Sequence, residues 1–237
     1  MGDNQAGKTS LIAKMQGIED PKKGSGLEYH HTLVRDEYRD EHTKLGFWVL
    51  DGDSDVFHRN LLDFALNQDT FQDITVVLTA SMTSPWDLLD SLKKWAKVLE
   101  THVSSLKMSP EKQKELKFQV IKKYLEYISP GDEVEALASS PVKSRPETLA
   151  DGKDLPEGVL TNNLGLEIVV VITKTDYMSV LEKQHDYKEE AFDFIQQSIR
   201  KLCLSYGASL FYVSAKVNKN CDLLYKYLGM CLPFLNF

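Results

Sequence analysis

Apolar positions along the chain follow two rhythms, and their alternation predicts an α/β protein. Short runs with little polar interruption read as strands: Phe47 to Leu50 closed by Asp51, Asp73 to Thr79, Glu167 to Ile172, and Ser209 to Val213. Such runs suit strands covered on both faces, as in a parallel sheet. Leu27 to Arg35 alternates instead and predicts an exposed strand. Between these segments the spacing turns helical. Leu11 to Met15 begins a first helix, and Val56 to Asn67 a second. Leu89, Leu92, Ala96, Leu99, Val103 and Leu106 then form one stripe, with Ser84 as cap and Pro85 at the first helical position. Another helix runs from Ser109-Pro110 to Tyr127. Ala191, Ile195, Ile199 and Leu202 share a face of the next, with Asp186 and Glu189 at capping-box spacing and Gly207 as its stop. Asp222 to Leu228 closes the set.

At 237 residues the chain can bury one sizeable core and does not demand a second. We treat 1–237 as one domain with a helical insertion at 84–129 and a flexible loop at 130–163, where serine, proline, glycine and acidic residues dominate. A net charge of -7 and a pI near 5.4 argue against a nucleic-acid partner or an anionic membrane surface. The absence of a long apolar run argues against membrane insertion, and the N-terminus lacks the shape of a signal peptide. Cys203, Cys221 and Cys231 form no metal-spaced pair and read as reduced thiols, so the expected compartment is cytosolic. His30, His31, His42, His58, His102 and His185 form no ligand or nucleophile pattern.

Three short motifs carry chemistry. Gly2, Gly7, Lys8 and Thr9 satisfy G-x-x-x-x-G-K-[ST] within Met1 to Ser10, a phosphate-binding P-loop. Its glycines let backbone N–H groups face phosphate oxygens, Lys8 adds a positive charge, and the following helix opens toward the same anion. The expected phosphate contacts are Gly2, Ala6, Gly7, Lys8, Thr9 and Ser10, and Thr9 offers a hydroxyl to magnesium. Asp51, at the end of an apolar strand, is the second expected magnesium ligand, although an acidic turn over Asp51 to Asp55 explains it equally well. Thr32 is either a switch threonine or an ordinary strand residue. Thr173-Lys174-Thr175-Asp176 fits [NT]-K-x-D, in which the aspartate accepts from guanine N1 and N2, and Ser214-Ala215-Lys216 fits the S-A-K loop that meets the guanine carbonyl.

The linear order of these motifs resembles that of a Ras-like G domain. That resemblance implies a mostly parallel sheet with helices on both faces, and guanine nucleotide (GDP or GTP) with magnesium as the ligand, ATP being the competing nucleotide. A P-loop normally leaves the end of a strand, yet only Met1 precedes Gly2. The expectation is therefore a domain without its first strand, with the edges Phe47–Leu50 and Ile74–Thr79 unpaired and a fraying loop from Gly2 to Lys8.

More specifically, the chain resembles the light intermediate chain of cytoplasmic dynein. The resemblance is carried by Gly7-Lys-Thr-Ser-Leu-Ile12, Gly26-Leu-Glu-Tyr29, Trp48-Val-Leu-Asp-Gly-Asp53, Pro85-Trp86, Lys94-Trp95, Asn163-Leu-Gly165, Ser179 to Lys183, His185-Asp-Tyr187, Phe192 to Ile195 and Tyr225-Lys-Tyr227. It implies a noncatalytic accessory subunit in the microtubule-associated motor, docked on the dynein heavy-chain tail. It also implies cargo adaptors as partners, through a C-terminal region beyond Phe237. Position 54 is serine where D-x-x-G requires glycine, and no glutamine follows to orient a water. A scaffold with a degenerate nucleotide site is thus expected, with a slow regulatory GTPase as the alternative and a P-loop kinase as a third class that Asp176 disfavours.

Overall fold

The computed structural model describes residues 1–19, 21–22, 24–35, 42–52, 60–126 and 155–231. Along them run α1 (Lys8–Gln16), β1 (Leu27–Arg35), β2 (His42–Leu50), α2 (Leu62–Ala65), β3 (Thr75–Ser81), α3 (Leu88–Ser105), α4 (Pro110–Leu125), β4 (Glu167–Thr173), a 3-10 turn (Thr175–Tyr177), α5 (Met178–His185), α6 (Glu189–Tyr206), β5 (Ser209–Tyr212) and α7 (Cys221–Met230).

The centre of the fold is the parallel sheet β3-β4-β5, with Val76 opposite Ile168 and Val170 opposite Leu210. The apolar run of β4 is buried on both faces. Ile168, Val170 and Ile172 join Leu92 and Leu99 of α3 and Ile199 of α6, while Val169 and Val171 join Leu11 of α1 and Leu224 and Leu228 of α7. Helices therefore cover both faces of this sheet, and every side chain from Ile168 to Ile172 is at most 2% exposed.

The Phe47–Leu50 segment departs from the expected buried parallel strand. β2 pairs antiparallel with β1 from Leu27↔Leu50 to Arg35↔His42. Among the described residues this hairpin is a sheet of its own, not hydrogen-bonded to β3. Trp48 looks apolar in sequence but is 47% exposed, its ring 4.8 Å from that of Tyr29 on the hairpin's outer face. An aromatic cross-strand pair stabilises a two-stranded ribbon without burial on both sides.

Two helix starts also move. Residues 85–87 form a turn, Asp87 N–H bonding the Ser84 carbonyl at 3.2 Å, and α3 begins at Leu88, whose side chain is buried in place of Leu89. Asp186 opens no helix: its left-handed φ of 52° ends α5, a helix that the weak periodicity of Met178 to His185 did not signal. The start of α6 instead carries Glu189 and Glu190 in its first turn, where the helix dipole favours them. Ser109 does cap α4, accepting from the Lys112 N–H at 3.3 Å with Pro110 at the first position.

Residues 127–154, most of the expected flexible loop, lie outside the described residues, as do 53–59 at the start of the Val56 to Asn67 helix. The last part of that loop is held in place. Leu160 is buried and its N–H bonds the Leu204 carbonyl at 2.8 Å, and the Asn162 N–H bonds the Ser205 carbonyl at 2.8 Å.

Candidate functional site

The P-loop stands at the C-terminal end of the parallel sheet. Met1 lies beside β3, its amine donating to the Val77 carbonyl at 2.7 Å and its carbonyl accepting from the Thr79 N–H at 2.8 Å. Gly2 then passes so close to β3 that a Cβ there would stand 2.2 Å from the Thr79 carbonyl oxygen. At the other end, Gly7 takes a left-handed φ of 81° and α1 begins, with Leu11 N–H to Gly7 carbonyl (2.9 Å) as its first helical bond. The amides of Thr9 and Ser10 precede that bond and have no acceptor within the helix, which is the arrangement an anion uses.

Two side chains shape the loop. Lys8 Nζ donates to the carbonyls of Gly2 (2.7 Å) and Asp3 (2.9 Å), drawing the end of the loop onto its beginning. The Asp3 carboxylate accepts from Ser91 Oγ, from Lys94 Nζ at 3.0 Å and from Trp95 Nε1 at 3.0 Å, so α3 anchors the loop from outside. Partial burial pushes the Asp3 carboxyl up, and the hydrogen bonds from Ser91, Lys94 and Trp95 outweigh it, leaving the group below its ordinary value.

β4 delivers the second motif to the same place. Thr173 Oγ1 donates to the Ala6 carbonyl at 2.7 Å, with the Ala80 carbonyl at 3.2 Å. Lys174, left-handed at φ 53°, reaches over the P-loop and donates from Nζ to the Gln5 carbonyl at 2.7 Å. Asp176 Oδ1 accepts from Ser214 Oγ at 2.5 Å, tying the second motif to the third. Ser214 is fully buried, Ala215 half-buried and Lys216 exposed. Residues separated by up to 169 positions are thus joined by direct hydrogen bonds into one cluster.

Asp51 approaches from the hairpin. Its Oδ1 accepts from the Gly52 N–H at 2.7 Å, and its own N–H bonds the Gly26 carbonyl at 2.7 Å. Gly52 packs on the P-loop backbone: a Cβ would lie 2.1 Å from the Asn4 nitrogen and 2.8 Å from the Gly2 oxygen. Asp53 and Ser54, which carry the D-x-x-G departure, lie outside the described residues. Thr32 sits half-buried in β1, opposite Leu45.

The donor set fits a nucleotide. Open helix amides and Lys8 suit phosphate, and the Asp176 carboxylate suits paired N–H donors of a base. Among the described residues no three His, Cys, Asp or Glu cluster to hold a metal. Magnesium held by the Thr9 hydroxyl, the Asp51 carboxylate, water and phosphate requires no such cluster. Sequence reading missed Asp3 with its anchors Ser91 and Trp95, and the close approach of Gly52. The signals were a carboxylate inside the P-loop and a glycine directly after Asp51.

Comparisons with known proteins bear on this arrangement. A family profile described as Dynein light intermediate chain (DLIC) matches residues 1–237. Cytoplasmic dynein 1 light intermediate chain 1 of Mus musculus is 49% identical over 230 residues, covering 96% of this chain and 44% of that protein. The Homo sapiens protein of the same name gives the same figures, 49%, 96% and 44%. That of Dictyostelium discoideum is 29% identical over 266 residues, with 96% and 52% covered. The chain therefore spans about half, or less, of the length of these relatives. Among solved structures, the crystal structure of the dynein light intermediate chain's conserved domain aligns with a TM-score of 0.71 at 22% identity, covering 100% of this chain and 74% of that one. At that identity the likeness speaks to fold alone.

Proposed function

Because the chain belongs to the dynein light intermediate chain family, we propose that it acts as a noncatalytic accessory subunit of the cytoplasmic dynein motor. In this reading it docks on the heavy-chain tail within the microtubule-associated complex of the cytoplasm, and the subunit as a whole links the motor to cargo adaptors. The observation that carries it is the family match across all 237 residues. The test is co-expression with a dynein heavy-chain tail. Coelution through size exclusion is expected, and separate elution at concentrations that hold the other tail subunits together overturns it.

The P-loop, Thr173–Asp176 and Ser214–Lys216, gathered at one end of a parallel sheet, support a Ras-like P-loop fold with a guanine nucleotide as the resident ligand. Gly2, Ala6, Gly7, Lys8, Thr9 and Ser10 hold phosphate. Thr173, Lys174, Asp176, Ser214, Ala215 and Lys216 face the base, with Thr9 and Asp51 on magnesium. The ligand supplies charge and shape to complete the cradle. Asp176 is pre-oriented by Ser214 to accept from guanine, an arrangement adenine cannot match. Competition binding with GTP and ATP tests this: guanine preference is expected, and equal competition overturns it. Asp176→Ala should remove the preference, a loss on the order of 1–3 kcal/mol, while leaving the phosphate contacts.

A further inference from the structure

Helix α4 is fixed to the rest of the molecule along one side. Leu116, its one fully buried residue, packs on Gly165, where a Cβ would stand 3.1 Å from Leu116 Cβ. Asn163 Nδ2 donates to the Lys117 carbonyl at 2.9 Å, and Lys123 Nζ to Glu167 Oε2 at 2.6 Å. With about 3.6 residues per turn, Leu116, Val120 and Lys123 share that side, and Lys114, Phe118, Ile121 and Leu125 lie on the opposite one. Phe118 and Ile121 are half-buried and Leu125 is 43% exposed, and among the described residues none of the three joins either apolar core. Positions 114, 118, 121 and 125 step by four, three and four, the spacing by which one helix packs on another.

The charges around this stripe indicate what fits it. Residues 88–125 hold nine lysines against four acidic residues, in a chain whose net charge is -7. Lys114 lies within the stripe and Lys117 along one edge, both exposed and, among the described residues, in no ion pair. Along the other edge Lys122 pairs with Glu126 at 3.7 Å, and Glu111 and Glu115 are exposed. One edge is therefore cationic and the other mixed. An anionic lipid surface would be repelled by Glu111 and Glu115, whereas a partner helix can set its acidic residues against Lys114 and Lys117 alone.

We propose that the Phe118, Ile121 and Leu125 stripe of α4 docks an amphipathic helix of another protein, apolar along one seam and acidic on the flank that meets Lys114 and Lys117. None of these residues belongs to the three motif loops, so the contact needs no bound nucleotide. The stripe is about 17 Å long, three turns of helix, so a Kd on the order of 10 μM is expected. The probe is a fluorescein-labelled synthetic helix with leucine at every third or fourth position and glutamate beside that seam, added to the full chain. Saturable polarisation is expected. It should weaken at least tenfold when the peptide's glutamates become lysine, when its leucines become serine, or when the chain carries Lys114→Glu with Lys117→Glu. The lysine-flanked peptide should regain binding to that reversed chain, a result that a misfolded variant cannot give. Hydrogen exchange in residues 114–125 should slow with peptide bound. No binding, binding that the two reversals leave unchanged, or failure of the lysine-flanked peptide to bind the reversed chain while α4 keeps its exchange protection overturns the proposal. Cosedimentation with phosphatidylserine vesicles in place of peptide binding overturns it as well. Faster exchange of α4 in the peptide-free chain on Val134→Ser with Leu137→Ser assigns the stripe to the chain's own following segment and overturns it too.

Discussion

Gly52 and Asn4 meet backbone to backbone: a Cβ on Gly52 would stand 2.1 Å from the Asn4 amide nitrogen. The neighbour is a main-chain atom of the P-loop, so no rotamer change can relieve the clash. Gly52→Ala should push the hairpin and the P-loop apart and cost about 1–3 kcal/mol, the range for overpacked sites. Chemical denaturation measures the loss, and a variant as stable as the parent contradicts the close approach.

Thr173→Val keeps the shape of the side chain and removes its hydroxyl. Thr173 is buried at 4% exposure and Oγ1 is a donor to Ala6, so the Ala6 carbonyl loses its partner. The expected destabilisation is about 1–3 kcal/mol, with faster amide exchange in residues 5–8 than in the parent. Uniform exchange across the chain would show that the bond does not hold the loop.

Asp3→Ala leaves the indole N–H of Trp95, a residue only 3% exposed, without its acceptor. Asp3→Asn keeps one acceptor oxygen for Trp95 and loses the charge opposite Lys94 together with the oxygen that accepts from Ser91. The alanine variant should therefore be less stable than the asparagine variant, by about 1–3 kcal/mol for an orphaned buried donor. Equal melting of the two assigns the anchor to charge alone. Because the folded carboxyl lies below its ordinary value, Asp3 contributes stability at neutral pH that is lost as the pH falls through its folded pKa.

Turnover should be slow. The Asp51 carboxylate bonds its own neighbour, Gly52, and none of residues 52–67 is a glutamine that could orient a water beside it. Single-turnover hydrolysis of GTP should not exceed the unassisted rate, on the order of 10⁻⁴ per second. A rate orders of magnitude faster, lost in Asp51→Ala, would favour a cycling switch over a scaffold.

Core strands were legible because β4 and its neighbours are apolar on both faces, and a run such as Ile168 to Ile172 has little other use. The motif loops were recognisable by fixed residue types at fixed spacing, and the structure brings the three of them together at one end of the sheet. Trp48 misled because periodicity counts an aromatic as buried, whereas a cross-strand partner lets it sit outside. Asp186 misled for a related reason: aspartate serves both helix starts and left-handed stops. The anchoring of Asp3 by Ser91, Lys94 and Trp95 could not be read, since it depends on where α3 lands relative to a loop 88 residues earlier.

The division of the strands into two sheets also sets two clocks. β1 and β2 are neighbours in sequence and zip together as a hairpin, an event of about 1–10 microseconds. β3 and β4 must find each other across the 85 residues that separate Ser81 from Glu167, and closing so long a loop precedes any ladder bond that rewards it. The hairpin should therefore form early and wait. The loop from Gly2 to Lys8, tied to β4 through Thr173 and packed against Gly52 after the hairpin, can set only after the slower half has arrived.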